Sequence, residues 1–396
     1  MIRTRIVRAA AVAALGLLAA PAAQAQSGLS ARGLGYPLEG LDARSRGLGG
    51  ITTGLPDPYL SLVNPAAVVG IPAAGLSVTF QGDEVASASA GREQDFTTAR
   101  FPAIQAAFPI GGRFVGTLGY ASVLDHNWSV STTDSMVFAG ELREVNDVFR
   151  AEGGAARLRV GAGYRLLPRV DVGAALDVYT GAARDSSLRV ISGLTQPSLQ
   201  GTNYTWQGLG FSAGARWRGN ALSVSAAVSG GGELTAQAAD SREASKGYSL
   251  PLTWDAGASA RITQRTLAAV SVRYGQWSSL DDELTSGGTA GDGAGYGAGA
   301  QDVLQVAGGL EYEGLRLVGR PVPVRLGGRY AQLPFRWSRE AEFPDERAVT
   351  GGLGILFAGG AAALELGGER GWRGGDAAGL DESFWRLSFS LSLLGR

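Results

Sequence analysis

Reactive chemistry has few places to reside in this chain. His126, within Asp125-His126-Asn127, is the only histidine, and the 396 residues include no cysteine. A metal centre or a Ser–His pair would have to be built on that one imidazole, without the repeated ligand spacing such sites need. There is no G-x-S-x-G elbow and no phosphate-binding loop. The glycine-rich run Gly291–Ala300 lacks the strand–turn–helix context of a phosphate cradle and reads as a surface loop. His126 reads as a polar residue at the extracellular rim, near the far end of a strand, and the chain as a non-enzyme with no cofactor and no metal. A formal net charge of −1 leaves no basic face for nucleic acid.

The remaining charge chemistry lies with arginines and carboxylates that recur at alternate positions. Arg157, Arg159 and Arg165 interleave with Leu158, Val160, Tyr164 and Leu166. Asp171 and Asp177 interleave with Val170, Val172, Leu176 and Val178, and Arg216, Asp255, Arg261, Arg273, Glu311, Arg325 and Arg329 occupy the same kind of polar face. A period of two describes strands with one apolar and one polar side. Such a set can line a selective path for polar or anionic solutes. It can equally form an ion-paired ladder that fills a narrow interior, since buried charges require partners.

The alternation begins at Leu76 and runs to the terminal RLSFSLSLL. Fourteen segments start near residues 75, 99, 113, 150, 170, 204, 221, 250, 265, 301, 322, 345, 361 and 382. Short turns, such as Gly111-Gly112 and Arg218-Gly219-Asn220, alternate with long polar connections near 131–148, 184–202, 237–248, 279–300, 338–345 and 371–381. A soluble β-sandwich would also alternate along its strands, but it need not follow this long–short rhythm. The rhythm is that of an outer-membrane barrel with tight periplasmic turns and long outer loops. The expected fold is therefore all-β: a transmembrane antiparallel barrel of about 14 strands over residues 75–396, apolar faces toward lipid. Tyr120, Trp128, Tyr164, Trp217, Trp254, Tyr274, Trp277, Tyr312, Tyr330 and Trp385 are candidates for its interfacial aromatics.

Two segments precede the barrel. Residues 1–25 have the parts of a cleaved export signal: Arg3, Arg5 and Arg8, then the apolar Ala9–Ala20, then Ala23-Gln24-Ala25. That apolar run is too short for a spanning helix, which takes about 20 residues. Residues 26–74 show no sustained period; glycines and prolines break them, with short helical turns expected, for instance around Tyr59–Val63. Both ends of an even-stranded barrel lie on the periplasmic side, so this segment is placed to enter the barrel as a plug.

Within it, Gly47-Leu48-Gly49-Gly50, Asp57-Pro58 and Asn64-Pro65-Ala66-Ala67 resemble the N-terminal hatch of the FadL/TodX outer-membrane transport family, with PorV-like barrels as near relatives. The resemblance implies Gly49, Gly50, Asp57, Asn64, Pro65 and Ala66 as hatch residues. It implies passive uptake of small hydrophobic molecules, long-chain fatty acids or hydrocarbons, through a plug-gated lumen with lateral exit. The implied partners are outer-membrane lipids, a hydrophobic ligand and, during biogenesis, the barrel-assembly machinery. A non-transporting, secretion-associated scaffold and a plugged pore for polar solutes are the alternatives. The terminus Leu393-Leu394-Gly395-Arg396 departs from the aromatic ending usual for such barrels.

Overall fold

A computed structural model describes residues 27–89, 92–138, 140–193, 197–239, 245–285 and 299–394. The expected export signal and all but the end of Gly291–Ala300 lie outside these residues.

The alternating segments form antiparallel strands. In chain order they are β1 (Gly75–Ser89), β2 (Arg92–Ile110), β3 (Phe114–Asp125, resuming as Trp128–Phe138), β4 (Glu141–Leu167) and β5 (Val170–Ile191). Then come β6 (Ser198–Arg218), β7 (Leu222–Gly230, resuming as Glu233–Ala238), β8 (Lys246–Ser249 and Thr253–Thr263), β9 (Thr266–Gly275) and β10 (Val303–Tyr312). The last four are β11 (Val324–Gln332), β12 (Asp345–Phe357), β13 (Ala362–Gly375) and β14 (Leu380–Leu394). Each pairs with its chain neighbour, and β14 returns to β1 with Phe389 opposite Phe80, so the sheet closes as a fourteen-stranded barrel.

Period-two patterning sends one side chain outward and the next inward. Leu118, Val160, Leu176, Val270, Leu326 and Leu387 are exposed on the outside. A barrel wrapped in such a belt has lipid as its surroundings. Trp217, Trp254, Tyr274, Tyr312, Tyr330 and Trp385 are exposed with it. Two expected interfacial aromatics are not: Trp128 is buried against Phe96 and Phe384, and Trp277 sits in a 3-10 turn after β9, packed on Phe335. The parity of β3 shifts at the bulge at Val123, and this turns Trp128 inward; across the interruption the register with β4 is kept, from Asp125 opposite Gly154 to Trp128 opposite Ala151.

Two expected loops are mostly strand. Residues 131–148 belong to β3 and β4 and residues 184–202 to β5 and β6, so these four strands stand well above the lipid-facing belt. Both faces are wet there, and the apolar–polar contrast that marks the lower strands is lost.

The wall has one irregular seam. β2 pairs with β3 only from Ala103 opposite Ala121 down to Ile110 opposite Phe114. Above Ala121, β3 bulges at Val123 and pairs with β4, leaving the upper half of β2 on β1 alone. The seam is spanned from inside: Tyr36 and Pro37 pair antiparallel with Asp125 and Leu124, the Leu38 N–H donates to the Val123 carbonyl at 2.9 Å, and Arg100 on β2 lies 3.5 Å from Asp125. Ala31, Phe96 and Trp128 pack together over it.

The segment from Ser27 to Ala74 runs through the lumen and touches opposite walls. It holds a 3-10 turn at Gly28–Ala31 and one short helix, α1 (Ala43–Gly47), N-capped by Asp42 through a 2.7 Å bond from the Ser45 N–H. The expected turn around Tyr59–Val63 is irregular backbone. Asn64-Pro65 does open a turn, with the Ala66 N–H donating to Asn64 Oδ1 at 2.9 Å.

Candidate functional site

The N-terminal segment is seated on glycine. Four strands carry glycine doublets: Gly308-Gly309 on β10, Gly327-Gly328 on β11, Gly351-Gly352 on β12 and Gly367-Gly368 on β13. One member of each faces the segment. A Cβ at Gly309 would lie 2.6 Å from the Leu48 carbonyl oxygen, one at Gly327 2.4 Å from the Gly49 nitrogen, and one at Gly367 2.7 Å from the Ala43 oxygen. The other member has room, with nothing nearer than 3.5 Å to a Cβ at Gly328 or 3.6 Å at Gly368. Gly173 and Gly257 receive Pro65 and Thr53 in the same way. Gly49, Gly50 and Gly54 hold φ of +91°, +83° and +103°, the left-handed region that glycine enters without strain.

Asn64 is fully buried and reads the wall directly. Its Nδ2 donates to the Thr53 hydroxyl and to the carbonyls of Ala215 on β6 and Ala226 on β7, at 3.2, 3.2 and 3.4 Å. Pro65 and Ala66 follow against Gly173, and Ala66 has no exposed surface. Asp57 is exposed at the inner end, where Arg261 lies 3.4 Å away and also 3.3 Å from Glu313.

The inward charges form two clusters around the segment. Near Asn64, Arg159 grips Asp177 through Nε and Nη2 at 2.7 and 2.8 Å and donates to the Leu62 carbonyl at 2.5 Å; Arg157 reaches the same carbonyl at 2.8 Å. Arg216 lies 2.9 Å from Asp171 and donates to the carbonyls of Asp57, Ala67 and Val69, while Arg165 and Arg218 also converge on Asp171. In the second cluster, Glu311 takes Arg44 and Arg325 at 2.6 Å each, and Arg325 continues to Glu365 at 2.8 Å. Asp255 takes Arg273 at 2.8 Å, Arg273 continues to Glu39 at 3.0 Å, and Arg329 joins Glu346 at 2.5 Å.

All eleven lumen candidates therefore face inward, and most are paired rather than open to a path. Residues not singled out from the sequence complete the lattice: Asp83, Glu369, Arg373 and Glu382, with Arg46 from the segment. Arg373 lies in a stretch read as loop, and Glu39, Arg44 and Arg46 in the aperiodic segment, so alternation could not mark them.

Above the segment lies a cavity of about 210 Å³. Leu38, Leu124, Tyr179, Leu234, Trp277 and Leu333 give it apolar walls, Arg157, Gln305 and the charged groups of Glu39, Arg46, Arg273, Arg329, Glu346 and Arg386 line the rest, and Pro102 and Val123 carry it to the seam. His126 is buried beside this region, with Nε2 3.3 Å from Asp185 on β5, rather than exposed at a rim.

A closed fourteen-stranded antiparallel transmembrane barrel is the fold of FadL-type proteins. The similar solved structures include a Pseudomonas aeruginosa FadL homologue (16% identity, 90% of this chain and 98% of that one, TM-score 0.60). The toluene transporters TbuX of Ralstonia pickettii (14%, 91% and 99%, 0.59) and TodX of P. putida (15%, 91% and 99%, 0.59) share the fold to the same degree. No curated protein matches the chain. The model of the BamG family matches residues 1–237, and the chain belongs to that family.

Proposed function

We propose that this chain is an outer-membrane channel for small hydrophobic molecules, closed toward the periplasm by its N-terminal segment acting as a plug. The observation that carries the reading is the cavity, which has an apolar wall beside its charged one and touches the seam between β2 and β3. A molecule collected there has the seam as its nearest exit, into the bilayer, whereas the way down is filled by Gly47–Ala67. The volume narrows the substrate class. A cavity of about 150 Å³ accommodates benzene, so about 210 Å³ suits a single-ring hydrocarbon and is short for a long-chain fatty acid. The names of TodX and TbuX as toluene transporters support that class.

The test is binding of radiolabelled toluene to the purified chain, together with toluene uptake by an uptake-deficient outer-membrane strain expressing it. Both are expected, and both should fall when Val123→Trp fills the cavity beside the seam. Absence of both sinks the channel reading.

A second reading is favoured by a separate observation. The lumen below the cavity is a dense ion-paired core, and the BamG match points to a relation with barrel assembly. On that reading the chain is a non-transporting scaffold of the outer membrane. Co-purification with the assembly machinery, with neither toluene binding nor uptake, would select it.

A further inference from the structure

The outer segment of β3, Trp128–Phe138, pairs with β4 on one edge only; among the described residues its other edge has no backbone partner. In an antiparallel strand every second residue turns its N–H and C=O to the far side. About five residues here therefore turn both groups away from β4, toward an edge with no strand on it. Bare edges of this length are templates for another strand unless guarded by charge, proline or a bulge.

The two free edges at the seam differ in this respect. The upper part of β2 is guarded by Glu93, Asp95, Arg100 and Pro102. The β3 segment, WSVSTTDSMVF, alternates hydroxyls with apolar residues and carries one charge, Asp134, and no proline. The edge of β3 also accepts a strand elsewhere: just below the interruption, Tyr36–Pro37 pair with it antiparallel.

We propose that Trp128–Phe138 is a strand-addition site for an extended segment of another protein at the cell surface. The occupant continues upward the edge that Tyr36–Pro37 cover below. It alternates small polar with apolar residues, and it places a basic residue beside Asp134, where an opposite charge is favourable. Lipid is the wrong occupant, because the outward pair Arg150–Glu152 on the adjoining β4 ends the apolar belt below this edge. A second copy is disfavoured by direction: two barrels in one membrane point these segments the same way, and side by side they would pair in parallel. The proposal is independent of whether the chain transports.

Hydrogen exchange on the full chain tests it, comparing protein purified into lipid nanodiscs with protein in native outer-membrane vesicles. In nanodiscs, alternate amides of residues 128–138 should exchange fast and their neighbours slowly. In native vesicles the fast class should slow at least tenfold. Whichever of Thr132→Pro and Thr133→Pro removes a fast amide should abolish that slowing in the adjacent residues, with β6 and β7 amides unchanged as the folding control. Fast amides that stay fast in native vesicles overturn the proposal. So does protection already complete in nanodiscs, which would mean that the chain itself or a second copy covers the edge.

Discussion

Replacing Gly327 with alanine adds one methyl group where the wall meets the N-terminal segment, and the same change at Gly328 adds it one residue away on the opposite face. At Gly327 the new carbon lies 2.4 Å from the Gly49 nitrogen and from the Leu48 carbonyl carbon, and 2.9 Å from the Gly308 oxygen. All three are backbone atoms, held from both sides, so none can swing away as a side-chain tip would. At Gly328 the nearest atom is 3.5 Å away, ordinary contact. Alanine is favoured over glycine within a strand by about 0.5–1 kcal/mol, and overpacking a filled interior costs about 1–3 kcal/mol. Gly328→Ala should therefore be neutral or slightly stabilising, and Gly327→Ala destabilising by about 1–2 kcal/mol after the strand gain is subtracted. Gly309 faces Gly327 across the strand pair and meets the same Leu48. The double substitution should then cost less than the sum, because one displacement of Leu48-Gly49 relieves both. Urea unfolding in lipid vesicles, followed by tryptophan fluorescence, measures the differences. Equal effects at Gly327 and Gly328 would refute the claim that the segment is seated on the wall by the absence of side chains.

Asn64→Ala removes the donor to the Ala215 and Ala226 carbonyls and the acceptor for the Ala66 N–H. It should destabilise by about 2–3 kcal/mol and make residues 27–74 cleavable by protease while the wall stays resistant. Arg216→Met strips the carbonyls of Asp57, Ala67 and Val69 of their common donor, yet Asp171 keeps Arg165 and Arg218. Its cost should fall at the lower end of the 3–5 kcal/mol range for breaking a buried pair. By contrast Arg189→Met, at an exposed pair with Asp147, should leave the urea midpoint unchanged.

The strands were legible because lipid and lumen impose opposite demands on alternate residues. Fourteen starts could be read from Leu158, Val160 and Val172 on one side and Arg159, Asp171 and Asp177 on the other. Above the lipid that contrast vanishes, and Ser131–Val148 looks like loop although it is paired strand. Trp128 was placed on the wrong face because counting by twos does not survive the bulge at Val123. The glycine doublets were visible, but not which member mattered: that depends on where Leu48 and Ala43 come to rest, which no local pattern encodes. Glu39, Arg44 and Arg46 escaped notice for the same reason, since their partners Arg273, Glu311 and Glu369 lie 234 or more residues away in sequence.

Ser27 and Gly28 bond Glu382, and the Ala43 N–H donates to Ser390, so the start of the N-terminal segment meets the last strand. The sequence separation of 355 residues puts these contacts among the slowest a chain can form. They also fix an order of events. The wall glycines leave no clearance for threading Gly47–Ala67 into a finished cylinder, so the segment must be in place while β14 and β1 are still apart. Closure of the barrel is then a step that the N-terminus takes part in, and a chain shortened at its start should stall as an open sheet rather than mature into an empty pore.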